Sequence, residues 1–219
     1  NAATKAETPA KAGDVLTPPN VLKTGADSRA ELTAEDKTVT RVGANTIFSV
    51  EADSRDVNIA QGSVLFASPK GRGGGRIKSA GATASVLGTT MIVGASQAGG
   101  FKVMLLEGKG EVKGLKGGGE LLNPGQLSFA LPGKAPSAPM NFELKGQVNG
   151  SKLVKGFSKP LASIAKIEAA ISTQNTKISE GALTSTGLLL SDRPDTAFVI
   201  SLTAEKIAQK IKDSIEQVV

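Results

Sequence analysis

From residue 21 to residue 131 one phrase recurs: a pair or triplet of apolar residues, a short gap, a glycine, then an apolar stretch that alternates with polar residues. It reads VLKTGADSRAEL from Val21, TRVGANTIFSV from Thr40, VNIAQGSVLFA from Val57, IKSAGATASVLGTTMIV from Ile77, FKVMLLEGKGEVKG from Phe101 and ELLNPGQLSFAL from Glu120. The glycines that mark it, Gly25, Gly43, Gly62, Gly81, Gly108 and Gly125, stand 17 to 19 residues apart except for one step of 27. A near-constant period of this size is the mark of a supersecondary unit that cannot cover its own apolar face and stacks on copies of itself. These glycines and Gly88 are expected to be structural turns, and the strands between them to point Val39, Val64, Val86, Val103 and Val112 inward.

The means of building a core are restricted. Aromatic residues make up 3% of the chain, all of them Phe, with no Trp, Tyr, His or Cys, so the interior falls to Val, Leu, Ile, Ala and Phe. Twenty-six glycines and many β-branched residues favour thin β layers with turns at positive φ. The expected class is mainly β, a β-solenoid-like repeat domain followed by a smaller α+β region.

Four segments follow from composition. Residues 1–20 form an extended arm ending in TPPN; residues 21–131 are the repeat domain; residues 132–139, within LPGKAPSAP, are a proline-rich linker; residues 140–219 are the α+β region. In that last region Asn149-Gly150 reads as the turn of a hairpin, and the same triplet with Ser151 fits a glycosylation acceptor but is taken as the turn. Pro160 opens a helix carrying Leu161, Ile164, Ile167 and Ile171, residues 197–202 read as a strand, and a final helix from Thr203 puts Ile207, Ile211 and Ile215 on one face.

Chemistry is sparse. Without His or Cys no Ser-His or Cys-His dyad can form, thiolate zinc sites are excluded, and the residual Ser28 with Lys37 or Asp53 with Asp56 are abundant surface residue types in chance proximity. ADSRD at residues 52–56 lacks the spacing of a calcium loop, and Gly108-Lys109-Gly110 is not a phosphate loop. No enzymatic activity, cofactor or metal is expected. A net charge of +6 is spread along the chain; its one dense group, Lys70, Arg72, Arg76 and Lys78 in KGRGGGRIK, has no aromatic residue beside it on which a base could stack, so no nucleic-acid partner is expected. Sugar-stacking Trp and Tyr are missing too, and a small-molecule ligand is not expected. No apolar run reaches the length of a membrane span. A start of Asn, Ala and Thr without Met reads as a mature chain after removal of a signal peptide, hence extracytoplasmic: secreted, at the cell surface or periplasmic.

The ordered series GADSRAEL, TRVGANTIFSV, ASVLGTTMIV and VMLLEGKGEV resembles the FecR domain, a β-repeat module of bacterial extracytoplasmic proteins. The correspondence falls on Gly25, Ser28 and Leu32, on Gly43, Asn45 and Thr46, on Gly88 and Thr89, and on Leu106, Glu107 and Gly108; Thr90 and Met91 stand where the family often has an aromatic residue. The family's regulators pair a periplasmic FecR domain that senses an occupied transporter with a membrane helix and a cytoplasmic anti-sigma head. Neither is read in these residues, so the resemblance implies the fold and a binding or structural module of a surface protein more than the signalling role. Two functions are therefore expected from different classes. The first is a structural protein that self-assembles into a filament or surface layer, a homo-oligomer or homopolymer in which Asp14, Val15, Leu16 and Thr17 of the arm add to a neighbour's open sheet edge and Ile207, Ile211 and Ile215 pack across copies. The second is a monomeric binding or sensing module at the cell surface or in the periplasm.

Overall fold

The computed structural model describes residues 7–71, 75–86, 88–190 and 200–202. In chain order its strands are β1 (Val21–Lys23), β2 (Ala30–Thr33), β3 (Val39–Val42), β4 (Ile47–Val50), β5 (Val57–Ala67), β6 (Gly75–Lys78), β7 (Ala82–Val86), β8 (Thr90–Ala95), β9 (Phe101–Glu107), β10 (Gly110–Gly114), β11 (Gly119–Leu122), β12 (Gln126–Ala130) and β13 (Met140–Asn141). Three helices follow, α1 (Leu144–Gly150), α2 (Lys152–Lys155) and α3 (Ile164–Ser179), then a pair of short strands, β14 (Leu188–Leu190) and β15 (Ile200–Leu202).

The chain is mainly β, as its alternation predicts, but the strands do not coil as parallel rungs. Among the described residues only β5 and β6 run parallel; every other pairing is antiparallel. Strands β1 to β13 form one hydrogen-bonded sheet folded over on itself at β5. The first half of this 11-residue strand pairs with β4 and β6, the second half with β3 and β8. A register shift opposite Ile47 and Phe48, followed by Gly62 at φ +104°, turns β5 from one half-sheet to the other. The half-sheet with β4, β6, β7, β10 and β11 thus faces the half-sheet with β3, β8, β9 and β12.

Side-chain parity then makes two cores. Met91, Val93 and Ala95 of β8 and Phe101, Val103 and Leu105 of β9 point between the half-sheets, together with Val64, Val86 and Val112. Ile92 of β8, Met104 and Leu106 of β9 and Leu65 of β5 point the other way, onto Leu144, Val148, Leu153, Val154, Leu161 and Ile167 of the helical segment. Val39 belongs to this second layer, not to the first. Each fully buried aliphatic side chain contributes about 1.5–3 kcal/mol, so the helices are a full layer of the fold.

The hairpin expected at Asn149-Gly150 is instead the junction of α1 and α2. Leu144 and Val148 lie four residues apart, with Leu153 and Val154 after the break, a helical spacing that packs on the sheet, and the Ser151 hydroxyl accepts the Leu153 N–H to start α2. Helix α3 carries Ile164, Ile167 and Ile171 as expected but begins at Ile164 after Ser163, so Pro160 and Leu161 precede it instead of opening it. The final helix with Ile207, Ile211 and Ile215 lies outside the described residues, as do residues 197–199 of the expected strand; its remainder is β15, paired with β14. Of the marker glycines, Gly62, Gly88, Gly108 and Gly125 have positive φ. Gly43 and Gly81 do not, and are required for a different reason: a Cβ would meet Ser63 Oγ at 2.7 Å and the Gly99 carbonyl oxygen at 2.0 Å. Gly25 has neither constraint; its nearest contact is 3.7 Å from Ser28 Oγ.

Candidate binding cleft

The two half-sheets diverge beside β2, and the opening is a cleft of about 590 Å³. Phe48, Val57 and Phe66 from the inner core form its floor, with Leu32 and Val50 along the sides. The β2–β3 turn and residues 54–56 form its rim, and Asp14–Leu16 of the arm cross it. Here the alternation of β2 matters: Leu32 turns toward the core, and Glu31 and Thr33 face away from it.

The rim is acidic. Among the described residues, Asp14, Glu31, Glu35, Asp36 and Asp56 line the cleft against one lining cation, Arg55. Asp36 holds the turn: the Thr38 backbone N–H and hydroxyl donate to its two oxygens at 2.9 and 3.0 Å, and Arg55 Nη1 lies 2.9 Å away. Burial pushes the Asp36 carboxyl up, but the Thr38 donors and the Arg55 charge outweigh it and hold the group below its ordinary 3.8. Asp56, whose side chain is 7% exposed, is bracketed by Arg76 Nη2 at 2.6 Å and Lys78 Nζ at 2.9 Å, and burial is again outweighed so that its carboxyl titrates low. Lys78 also reaches Glu51, which accepts a further bond from Asn58. Arg76 and Lys78, two of the four cations of the glycine-rich segment, are thus engaged by carboxylates, and Arg72 lies outside the described residues.

Behind the cleft sits a residue that sequence reasoning did not single out. Arg41 is 1% exposed and directly opposite Glu31 in the β2–β3 ladder. Its Nε donates to Glu31 Oε2 at 2.8 Å, Nη1 to the Leu153 and Val154 carbonyls at 3.0 and 2.8 Å, and Nη2 to the Lys159 carbonyl. The guanidinium lies over the Phe157 ring, 4.5 Å from its centroid. One side chain therefore joins the cleft rim to the last carbonyls of α2, which have no partner within that short helix. An Arg inside the apolar strand VTRV was the one available signal.

The arm residues lie against their own chain. Leu16 packs on the inner core, Val15 is 80% exposed, the Asp14 carboxylate accepts the Lys11 N–H at 2.7 Å and the Thr17 carbonyl accepts the Asn20 N–H. The nominated Asp53–Asp56 pair is not formed as a catalytic dyad, because Asp56 is committed to Arg76 and Lys78. Among the described residues no cluster of metal-binding side chains occurs, and no helix is long and apolar enough to cross a membrane.

Residues 20–111 match the family described as FecR protein. That segment is a FecR domain. Two crystal structures from Parabacteroides distasonis ATCC 8503, each described as a "putative anti-sigma factor", are similar to the chain: one at 19% identity over 60% of this chain and 65% of that one, with a TM-score of 0.50, the other at 20% identity over 56% and 59%, with a TM-score of 0.48. The chain thus spans about three fifths of the length of each, and at such identity the likeness bears on the fold alone. No curated protein matches the chain.

These findings overturn the expectation of a self-assembling structural protein. The match to the FecR family points to the second of the two expected functions, a sensing or binding module, and away from the filament, surface layer and homopolymer of the first. The physical error is visible in the cores. The apolar faces expected to stack between copies are covered within one chain, by the opposite half-sheet and by the helices, and Leu16 packs against its own sandwich.

Proposed function

We propose that the chain is a non-catalytic, extracytoplasmic binding module of the FecR type that acts as a monomer and senses a protein partner at the cleft beside β2. One observation carries this reading: apart from Asp14–Leu16 of the arm, every described residue lining the cleft, from Glu31 to Gly75, belongs to the segment that matches the FecR family. The half-open sandwich offers an apolar floor with a charged rim, the arrangement typical of a recognition site, and the chain has no His or Cys with which to run acid–base or thiolate chemistry near neutral pH. The description carried by the two P. distasonis proteins names a role of the same regulatory class.

A photo-crosslinking amino acid at position 33, on the rim, tests the proposal in the organism's own envelope. The expected result is a discrete adduct with one other protein; a ladder of self-adducts, or none, refutes it. Model esters, glycosides and phosphates should show no turnover, and activity lost on substitution of a single Ser, Lys, Asp or Glu would refute the non-catalytic reading.

A further inference from the structure

We infer that the cleft recognises an extended, basic peptide segment of the partner, and that the seat of its anchoring aliphatic side chain is the one Leu16 holds in this structure. The inference rests on the binding-module reading and adds the chemistry of the ligand and the competitor built into the chain.

The arm shows what the seat accepts. Of the three arm residues at the cleft, Leu16 is partly buried against the inner core and Val15 is 80% exposed, so a single aliphatic side chain anchors the segment and its neighbour points to solvent. This is the alternation of an extended peptide on a shallow site. The hydrogen bonds Lys11–Asp14 and Thr17–Asn20 close within the arm, and among the described residues none joins residues 8–16 to either half-sheet. Its other attachment is an exposed ion pair between Glu7 and Lys23, of the kind that contributes little. The arm is thus held chiefly by one side chain.

Charge selects a different occupant. Asp14 brings a carboxylate to a rim that already carries Glu31, Glu35, Asp36 and Asp56. Cations lie within ion-pair distance of Glu31, Asp36 and Asp56, but among the described residues none does so for Asp14 or Glu35. A segment with Lys or Arg flanking the aliphatic anchor brings a cation to Glu35 where the arm brings the Asp14 carboxylate. Because the whole chain carries +6, such attraction is local to this cleft and not a property of the surface at large. The volume of about 590 Å³ under the arm falls in the range of pockets that enclose ligands.

Fluorescence anisotropy with the full chain tests this, using three labelled octapeptides: GDVLTPPN, the arm's own sequence; GKVLKPPN, with lysines flanking the anchor; and GKVDKPPN, without the anchor. GKVLKPPN should bind at least tenfold tighter than either of the others, with an affinity that falls as salt rises. Leu16→Asp, which unseats the arm, should tighten GKVLKPPN at least tenfold; Glu35→Lys, an exposed change, should weaken it at least fivefold and keeps the test decisive if Leu16→Asp unfolds. Equal binding of the acidic and basic peptides, or indifference to the anchor, overturns the inference. If a partner adduct still forms at position 33 in that case, the error lies in the ligand class and not in the binding-module reading; if no adduct forms, both fall.

Discussion

Replacing Arg41 by Met removes a buried guanidinium and keeps most of its length. The lost interactions are the bonds to the Leu153 and Val154 carbonyls at 3.0 and 2.8 Å, the bond to the Lys159 carbonyl, the ion pair with Glu31 and the contact with Phe157. The Glu31 side chain is 25% exposed, so water screens that pair and re-solvates the freed carboxylate; its share is small. The carbonyl bonds lie in the interior, where hydrogen bonds to a charged donor contribute about 1.5–3 kcal/mol each and are not additive. A total loss of about 3–4 kcal/mol follows, the lower part of the range for breaking a buried charge network. For a chain of this size that lowers Tm by roughly 6–16 °C. The chain has no Trp or Tyr, so the assay is thermal unfolding followed by far-ultraviolet circular dichroism, with limited proteolysis at residues 152–160 as a local probe. Cleavage there should precede loss of the β signal, because the helices lose a tether while the sandwich keeps its inner core. Arg41→Lys should recover less than half of the loss, since one ammonium cannot reproduce the fork. A shift below 2 °C for Arg41→Met, with no new cleavage, refutes the assignment of Arg41 as the joint between the cleft rim and the helical layer.

Three further outcomes are expected. Gly62→Ala places a Cβ 2.2 Å from Thr46 Oγ1 and 2.5 Å from Thr46 Cα at a φ of +104°, and should cost about 3 kcal/mol or more in urea unfolding, whereas Gly150→Ala, with open space around it at the end of α1, should be neutral or stabilise by about 0.5 kcal/mol. Gln174 is 6% exposed and ties α3 to the start of α1, its Nε2 donating to the Phe142 carbonyl at 2.9 Å and its Oε1 accepting the Leu144 N–H at 3.0 Å; Gln174→Ala should cost about 2–3 kcal/mol, measured the same way. Asp36 and Asp56 titrate below 3.8 in the folded chain, so the stability they contribute is complete above that pH and is lost as the pH falls through their lower folded values. Unfolding free energy should stay level from pH 7 to pH 5 as far as these two groups decide it and drop in the acid range below, and Asp56→Asn should flatten part of that drop; stability that rises on acidification refutes the pairing.

The strands were legible because alternation is local: Phe101, Val103 and Leu105 announce a buried face whatever they pack against. Their pairing was not. A constant glycine period suits stacked parallel rungs and successive antiparallel strands equally well, and the deciding features, a bend inside β5 and burial of β8 and β9 on both faces, show in the sequence only as unusually continuous apolar stretches, TMIVGA and FKVMLLE. Asn149-Gly150 misled because its turn preference is strong, yet Leu144, Val148, Leu153 and Val154 have a sheet to cover and that packing prevails. At the cleft, Leu16 could be noticed as an aliphatic residue in a proline-rich arm. The rim could not, because Glu31, Glu35, Asp36 and Asp56 span 26 residues of chain and meet only through the β2–β3 turn and the course of β5. Nor could Arg41, since its carbonyl partners lie more than 110 residues downstream.

The second face of β8 and β9 limits how this domain can be moved. The recurring family segment ends at residue 111, but Leu65, Ile92, Met104 and Leu106 within it are shielded by side chains beyond residue 140. A graft of residues 20–111 onto another protein would carry a bare apolar wall, apt to pair with any similar surface. A transplantable unit must therefore bring Phe142 to Ile167 with it or offer a host surface of matching shape, so the helical layer travels with the sandwich as part of its solubility.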